Sequence, residues 1–276
     1  MNPSEKSNLI HKLDYLIKLL KKLKSIVIAY SGGTDSTLLL KLAKISNVKA
    51  IAITADSEIY PRKMINLSKK LTKDIGIEHR IILTKELTIK DFINNTPKRC
   101  FFCKDNLFKK LSKILISEGY NYIIDGTNTD DLNDFRPGIK ALSKYKIISP
   151  FIDANISKKD IRDLSKYLKL PTWNNPPSTC LATRIPYFIE ITKEALERIE
   201  KSEEFLTSYG FKNIRVRDHA GLARIEVDKN MLNVFLNPYK RRTIYKRLKS
   251  YGYHFVSLDL GGYKTGNLNR YLNEQV

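Results

Sequence analysis

An α/β chain built on a parallel, doubly wound sheet, followed by a smaller C-terminal α+β domain, is the architecture the sequence predicts. Three observations predict it. From residue 9 to 168, short β-branched runs alternate with amphipathic helical stretches, the pattern of a parallel sheet covered on both faces. The first apolar run, Ile26-Val27-Ile28, ends in a small glycine-rich turn that leads straight into a helix. After residues 172–186 the order changes to helix, strand, strand, helix, strand. The expected division is therefore a first domain over 1–186 and a second over 187–276.

Taken in order, Leu9, Leu13, Leu16, Ile17 and Leu20 recur at helical spacing and predict an amphipathic helix over 8–22. The first buried strand follows, and residues 37–43 continue as a helix. Residues 48–54 read as a second strand. Pro61 stands at an N1-like position before a helix with the stripe Met64, Leu67, Leu71, which ends at Gly76. A third strand covers 77–83. After an irregular polar start over 84–103 come a helix over 104–117 and a fourth strand over 122–125. Residues 126–138 read as a polar loop and 146–149 as a fifth strand. Ser157 caps a helix that runs to Leu168 and stops at Pro171. Beyond the turn-rich segment, a helix over 192–209, strands over 213–219 and 222–227, a helix over 230–250 and a strand over 253–259 complete the chain.

The turn after the first strand reads S-G-G-T-D-S (31–36). A strand, a tight turn and a helix start in that order direct free backbone N–H groups and the helix dipole at one spot, which suits an anion. Gly32 and Gly33 let the backbone approach a ligand, and Ser31 and Ser36 add hydroxyls. The turn lacks the lysine of a Walker A loop, so it is a different phosphate cradle. Ligands of such sheets bind at the carboxyl ends of strands, where the strand order switches. Ser31, Asp56, Asp125 and Gly126 all stand at such ends and are expected to converge.

Composition narrows the classes. Forty-nine basic and 29 acidic side chains give a net charge of +20. Such an excess attracts polyanions, yet the lysines are spread over nearly every helix, and an AT-rich codon bias explains them equally. No aromatic–basic RNA-binding strand signature and no long arginine tract stand out. No uncharged apolar run approaches a membrane span, and charges interrupt 9–20 where a signal sequence would be apolar. A cytoplasmic location is expected, with neither a nucleic-acid nor a membrane partner. Three cysteines, Cys100, Cys103 and Cys180, argue against a disulfide scaffold and towards metal or reactive thiols.

S-G-G-T-D-S at the first strand resembles the signature of the PP-loop ATP pyrophosphatases, whose sheet belongs to the adenine nucleotide alpha hydrolase-like folds. Further motifs are R-C-F-F-C-K (99–104), D-G-T-N-T-D-D (125–131), F-R-P-G (135–138), C-L-A-T-R-I-P (180–186), I-R-V-R-D-H (214–219), L-A-R-I-E-V (222–227) and L-D-L-G-G-Y-K-T-G (258–266). Together they resemble the LarE sulfur transferases over almost the whole chain. The resemblance implies an enzyme that uses ATP to adenylate a carboxylate of a pyridinium biscarboxylic acid mononucleotide, releasing pyrophosphate. A sulfur nucleophile then displaces AMP, giving a thiocarboxylate on the way to a nickel-pincer nucleotide. It also implies a homo-oligomer, with a hexamer expected from the resemblance alone.

Residues are assigned on the same footing. Ser31, Gly32, Gly33, Asp35, Ser36, Asp56 and Gly126 are the expected nucleotide site, with Mg²⁺ on carboxylates such as Asp35 or Asp130; Asp131 reads as a cap or loop residue. Arg215 and Arg217 lie two apart on one strand and share a face, and guanidinium suits phosphate or carboxylate. Arg184 and Arg224 are further candidates for that role. Lys104 can steady developing negative charge, and Glu203 and Glu226 match family acidic positions, Glu203 being placed among the catalytic residues with Cys180 and Asp35.

The cysteines decide the sulfur source. In many proteins of the family that this chain resembles, the cysteine at the position of Cys180 gives up its own sulfur. Here Cys100-x-x-Cys103 is present as well. Three thiolates suit a 4Fe–4S cluster with one iron open, or a zinc site completed by His219, the cluster being preferred. The expected enzyme is thus cluster-dependent and spares its polypeptide, with inorganic sulfide or another donor as sulfur source. Sacrificial transfer from Cys180, a tRNA thiolase of the same superfamily and a non-catalytic ATP-binding protein are the alternatives.

Overall fold

The computed structural model describes residues 3–133, 137–176, 179–264 and 266–268, the side chains of 3–6 and 133 excepted. The chain divides into two compact units, residues 1–85 with 100–178 and residues 86–99 with 179–276. Its elements are α1 (Pro3–Lys22), β1 (Ser25–Ala29), α2 (Thr34–Ile45), β2 (Lys49–Asp56), α3 (Arg62–Ile75), β3 (Glu78–Leu83), α4 (Lys90–Ile93), α5 (Arg99–Ser117), β4 (Tyr122–Ile124), α6 (Ile139–Lys144), α7 (Pro150–Asp153), α8 (Lys158–Tyr167), α9 (Lys193–Ser208), β5 (Ile214–His219), β6 (Leu222–Val227), α10 (Pro238–Ser250) and β7 (Phe255–Leu258). No helix among the described residues is long and apolar enough to cross a membrane.

In the first unit four parallel strands lie in the order β3-β2-β1-β4. The register places Val27 beside Ile51 and Ile123, so β1 runs through the centre of the sheet. Alternate residues of β1 serve opposite faces. Ile26 and Ile28 share a core with Leu20, Leu39 and Leu164, whereas Val27 belongs to a second core with Phe108 and Leu111. All three β1 residues are fully buried, and each buried side chain of this size contributes about 1.5–3 kcal/mol. From β1 the chain winds outward through β2 to β3, then returns to β4 on the other side. The switch in strand order therefore falls between β1 and β4.

The expected fifth strand over 146–149 shrinks to one parallel bridge, Ile124 with Ile148. Lys146 has a positive φ of 51° and Pro150 starts α7, so the extended segment is cut at both ends. The helix expected over 104–117 starts earlier, at Arg99, so Cys100 and Cys103 lie in its opening turns.

The second unit carries a three-stranded sheet, β5-β6-β7. β5 and β6 form an antiparallel hairpin in which His219 faces Leu222. The two turn residues, Ala220 and Gly221, both have positive φ, the geometry of a turn whose twist matches the strands. β7 adds to β6 in parallel. The single helix expected over 230–250 is instead a 3-10 helix, Lys229–Leu236, followed by α10. Asn237 interrupts it because its side chain caps α10 and Pro238 takes the first helical position.

Candidate functional site

In the first unit, the glycine loop joins β1 to α2. Gly32 has φ +74°, and a Cβ there would meet Ser68 Cβ at 3.3 Å and Met64 O at 3.5 Å, so both backbone and packing against α3 favour glycine. Gly33 is the N-cap of α2, and no side chain caps this helix. Its first amides are the donors that a helix cannot satisfy internally. Ser31 and Ser36 close the loop hydroxyl to hydroxyl at 3.1 Å, and Gly33 N donates to Ser31 Oγ at 3.3 Å. Gly126, just past β4, sits against the same helix start: a Cβ there would lie 3.1 Å from Ser36 N and 3.3 Å from Asp35 Cβ. The mouth of the β1–β4 switch is thus lined by main chain on both sides. Thr34 Oγ1 donates to Thr172 O at 2.8 Å, which fixes the segment beyond α8 against the head of α2.

Charged groups surround this mouth. Lys158 Nζ pairs with Asp35, and Lys158 N donates to Asp130 Oδ2, so both carboxylates expected to hold Mg²⁺ converge on one lysine. Asp131 accepts from Asn128 N at 3.1 Å and Asn128 Nδ2 at 3.0 Å, which makes it a turn-closing residue. Asp125, nearly buried, accepts from Ser149 Oγ at 2.6 Å and faces Lys104 Nζ at 3.6 Å. Asp56 ends β2, next to β1, and pairs with Arg62 at 2.6 Å.

Cys100 is exposed and Cys103 half-buried, three residues apart on α5 and so on neighbouring positions of one helix face. Tyr60 Oη lies 3.7 Å from Cys103 Sγ. A Cβ on Gly138 would come within 2.9 Å of the flexible Lys104 Cδ and 3.4 Å of Cys100 O, so this segment passes close to the opening turns of α5. Phe135 and Arg136 of the same motif lie outside the described residues.

In the second unit, Cys180 caps a turn of 3-10 helix, Leu181–Arg184. Its carbonyl accepts from Thr183 Oγ1 at 2.8 Å and from Arg184 Nη1 at 3.0 Å. Arg184 is 4% exposed and forms a bidentate pair with Glu203, both contacts at 3.0 Å, while Nη1 also holds Thr179. Burial works against its charge, but Glu203 overcomes that and keeps Arg184 above its ordinary pKa. Glu203 also accepts Val216 N at 3.1 Å. Arg217 donates to Thr183 O and to Glu226 Oε2, both at 2.8 Å. The backbone around Cys180 is therefore clamped from α9 and β5.

Fully buried Glu226 also pairs with Arg224 at 3.2 Å, and Arg224 pairs with Asp259 at 2.6 Å. Arg184, Arg224 and Glu203, expected at the substrate or in catalysis, are thus committed to internal pairs that shape the Cys180 turn and the hairpin. Arg215 donates to Ile214 O at 2.6 Å and lies over the Tyr263 ring. Burial and then the neighbouring Arg184 charge lower its pKa. Arg217 Nε is buried and finds no hydrogen-bond partner among the described residues. His219 Nε2 accepts from Arg224 Nε at 3.2 Å, and burial followed by that charge holds the imidazole below its ordinary pKa. Among the described residues no three His, Cys, Asp or Glu are grouped as a metal site, and the cysteines form no disulfide.

Two further features escape sequence reasoning. Lys158 carries no signal among 49 basic side chains; only the fold brings it to Asp35. Asn95 is fully buried with φ +52°, donates to Pro186 O at 2.7 Å and Ile189 O at 2.8 Å, and accepts from Arg99. Arg99, 2% exposed, lies over the Tyr187 ring at 4.8 Å. These two pin residues 86–99 to the segment that follows the Cys180 turn.

No family model matches the chain. Over 256 residues it is 32% identical to the pyridinium-3,5-bisthiocarboxylic acid mononucleotide synthase of Lactiplantibacillus plantarum, covering 92% of each protein. It is 38% identical over 264 residues to an uncharacterised protein of Synechocystis sp., covering 95% of this chain and 98% of the other. A Methanocaldococcus jannaschii protein, also uncharacterised, is 37% identical over 264 residues, with 92% and 96% covered.

Proposed function

The chain belongs to the LarE family of ATP-dependent sulfur transferases, of the PP-loop type, and on that premise we propose that its acceptor is a pyridinium biscarboxylic acid mononucleotide. In this reading a carboxylate of the acceptor is adenylated and then converted to a thiocarboxylate during assembly of a nickel-pincer nucleotide. The observation that carries the ATP half is the uncapped start of α2 behind Gly32 and Gly33.

A carboxylate oxygen attacks the α-phosphorus of Mg²⁺-bound ATP, and the bond to the pyrophosphate oxygen breaks. Negative charge then grows on the leaving pyrophosphate. Amides of Thr34, Asp35 and Ser36 and the ammonium of Lys158 are the groups assigned to stabilise it, since preoriented donors cost no reorganisation during reaction. Ser31 shapes the loop, and Gly126 keeps the opposite wall free of side chain. Lys158 Nζ would exchange Asp35 for phosphate, and the Asp35 carboxylate, with that of Asp130 held beside it by Lys158 N, would then be the pair to hold Mg²⁺. Asp56 completes the nucleotide side, and Lys104 balances charge near Asp125.

Arg215 and Arg217 are assigned to the acceptor's phosphate and carboxylate. The buried, unpartnered Arg217 Nε supports that reading, because an orphan donor in a native structure calls for a missing partner. Arg184, Glu203, Arg224 and Glu226 are positioning residues for the turn of Cys180 and the hairpin that carries Arg217.

A sulfur nucleophile attacks the acyl carbon, and AMP leaves with the bonding pair. Cys100, Cys103 and Cys180 are the residues that would hold a 4Fe–4S cluster; three thiols, two of them one helical turn apart on α5, are the donor chemistry such a cluster takes. Such a cluster would supply an iron with an open coordination position for a sulfide ligand. On this proposal Cys180 keeps its own sulfur. His219 suits zinc poorly, because its Nε2 already accepts from Arg224. A cytoplasmic homo-oligomer, hexameric by family resemblance, belongs to the same reading.

Anaerobic purification followed by iron and sulfide analysis tests it. The expected result is stoichiometric iron with the broad absorbance at about 400 nm of such a cluster. Protein without iron that still thiolates its acceptor would overturn the cluster, and absence of acceptor-dependent pyrophosphate release would overturn the function.

A further inference from the structure

Helix α10, P-Y-K-R-R-T-I-Y-K-R-L-K-S, stands apart from the other long α-helices in its charge. It holds six basic side chains and no acidic one, whereas every other α-helix of eight or more residues contains Asp or Glu. Lys240 and Arg241 lie in its first turn, where the positive end of the helix dipole disfavours cations, and Arg242 follows directly. Arg242 and Lys246 stand four apart, a like-charge spacing that weakens a helix. A codon bias towards lysine does not explain the arginines or the missing acids. Local rules are broken in this way where a surface has work to do.

The geometry is that of an outward basic stripe. Ile244 and Leu248 turn inward and are buried in the core of the second unit. Helical periodicity then puts Tyr239, Arg242, Lys246 and Lys249 on the opposite side, and all four are exposed. The rise from Arg242 to Lys246 is about 6 Å. Tyr239 is 77% exposed and Tyr245 48% exposed, which leaves aromatic faces beside the charges.

We infer that the outward face of α10 docks a nucleic-acid strand, with Arg242, Lys246 and flanking cations on phosphates and Tyr239 stacked on a base. Exposed tyrosines among cations are the pattern of sequence-tolerant single-strand binding. An anionic membrane surface fits less well, because membrane helices need a free apolar face and that of α10 is buried within its own unit. The inference is independent of the acceptor proposed above: the strand is a docking partner, not the group that receives sulfur.

The test is fluorescence anisotropy with a labelled single-stranded RNA oligonucleotide of mixed sequence, titrated from about 50 to 200 mM salt. The triple variant Lys240→Gln/Arg242→Gln/Lys246→Gln is expected to reduce the slope of log affinity against log salt by about 2, since each single-strand phosphate contact contributes about 0.7. Tyr239→Ala is expected to weaken binding about tenfold at fixed salt. A charge-matched control, Lys18→Gln/Lys21→Gln/Lys22→Gln on α1, is expected to keep most of the slope, and pyrophosphate release by the α10 variants is expected to stay at the wild-type rate. No binding by the wild type at the lowest salt would overturn the inference. So would a control that loses as much as the α10 variant, or capture through α10 by phosphatidylserine vesicles without RNA binding.

Discussion

The two units use their polar groups in opposite ways. In the first, Gly33 leaves the head of α2 without a side-chain cap, so its donors face the β1–β4 switch. In the second, arginines that their motifs mark for anions are drawn into pairs: Arg184 with Glu203, Arg224 with Glu226 and Asp259, and Arg217 with Glu226 through Nη2, its Nε alone lacking a hydrogen-bond partner. Residue type is therefore a weaker guide than what the fold leaves unemployed. A helix start cannot satisfy its own first amides, so a glycine turn before a helix advertises its role. A buried arginine carries a charge that must be paired, and its partner is chosen by the fold.

Breaking the closed pairs should give the largest effect. Glu226 is fully buried and receives Arg217 at 2.8 Å, Arg224 at 3.2 Å and Asn267 at 3.1 Å. Glu226→Ala leaves Arg217 buried without its carboxylate and should cost about 3–5 kcal/mol, read as a lower urea midpoint. A loss below about 1 kcal/mol, the range of exposed pairs, would show that the cluster is effectively solvated and would remove the contrast.

On the open side the effect should fall on chemistry. The Lys158–Asp35 pair is 35% and 27% exposed, so Lys158→Met should change stability by no more than about 1 kcal/mol. Acceptor-dependent pyrophosphate release should nevertheless drop about 100-fold, as expected when one donor to a developing charge is removed. Unchanged release would mean that Lys158 merely pairs with Asp35.

The smallest effect concerns two histidines, one in each unit. Burial followed by a nearby cation, Lys69 for His79 and Arg224 for His219, holds both below the ordinary value of 6.5. Below about pH 6.5 the unfolded chain binds protons that the folded chain does not, so stability falls as pH drops through that window and is regained above it. His219→Asn should flatten this dependence in part, with His79 supplying the remainder; an unaltered pH profile of urea midpoints would exclude His219 as a contributor.

Much of this was readable from local pattern. The β-branched run 26–28, the glycine turn and the alternation up to 168 follow from periodicity and turn chemistry, which act over a few residues. The hairpin after 213 is likewise local. The fifth strand was not, because Lys146 and Pro150 limit a plausible apolar run to one bridge. The long helix after 230 was misread because the capping power of Asn237 outweighs the continuing apolar pattern. At the site, the glycine loop is local, whereas Lys158 meets Asp35 across 123 residues and Arg217 meets Thr183 across 34. Only folding makes those pairs.

On the proposed function, Ser31–Ser36 activates the acceptor while Cys180 remains whole. Mass spectrometry of the Cys180 peptide after many turnovers under anaerobic conditions tests it most directly. An unmodified Cys180 and more than one thiocarboxylate formed per chain are expected. A peptide that has lost the elements of hydrogen sulfide, in step with a single product per chain, would contradict it and make the protein its own sulfur donor.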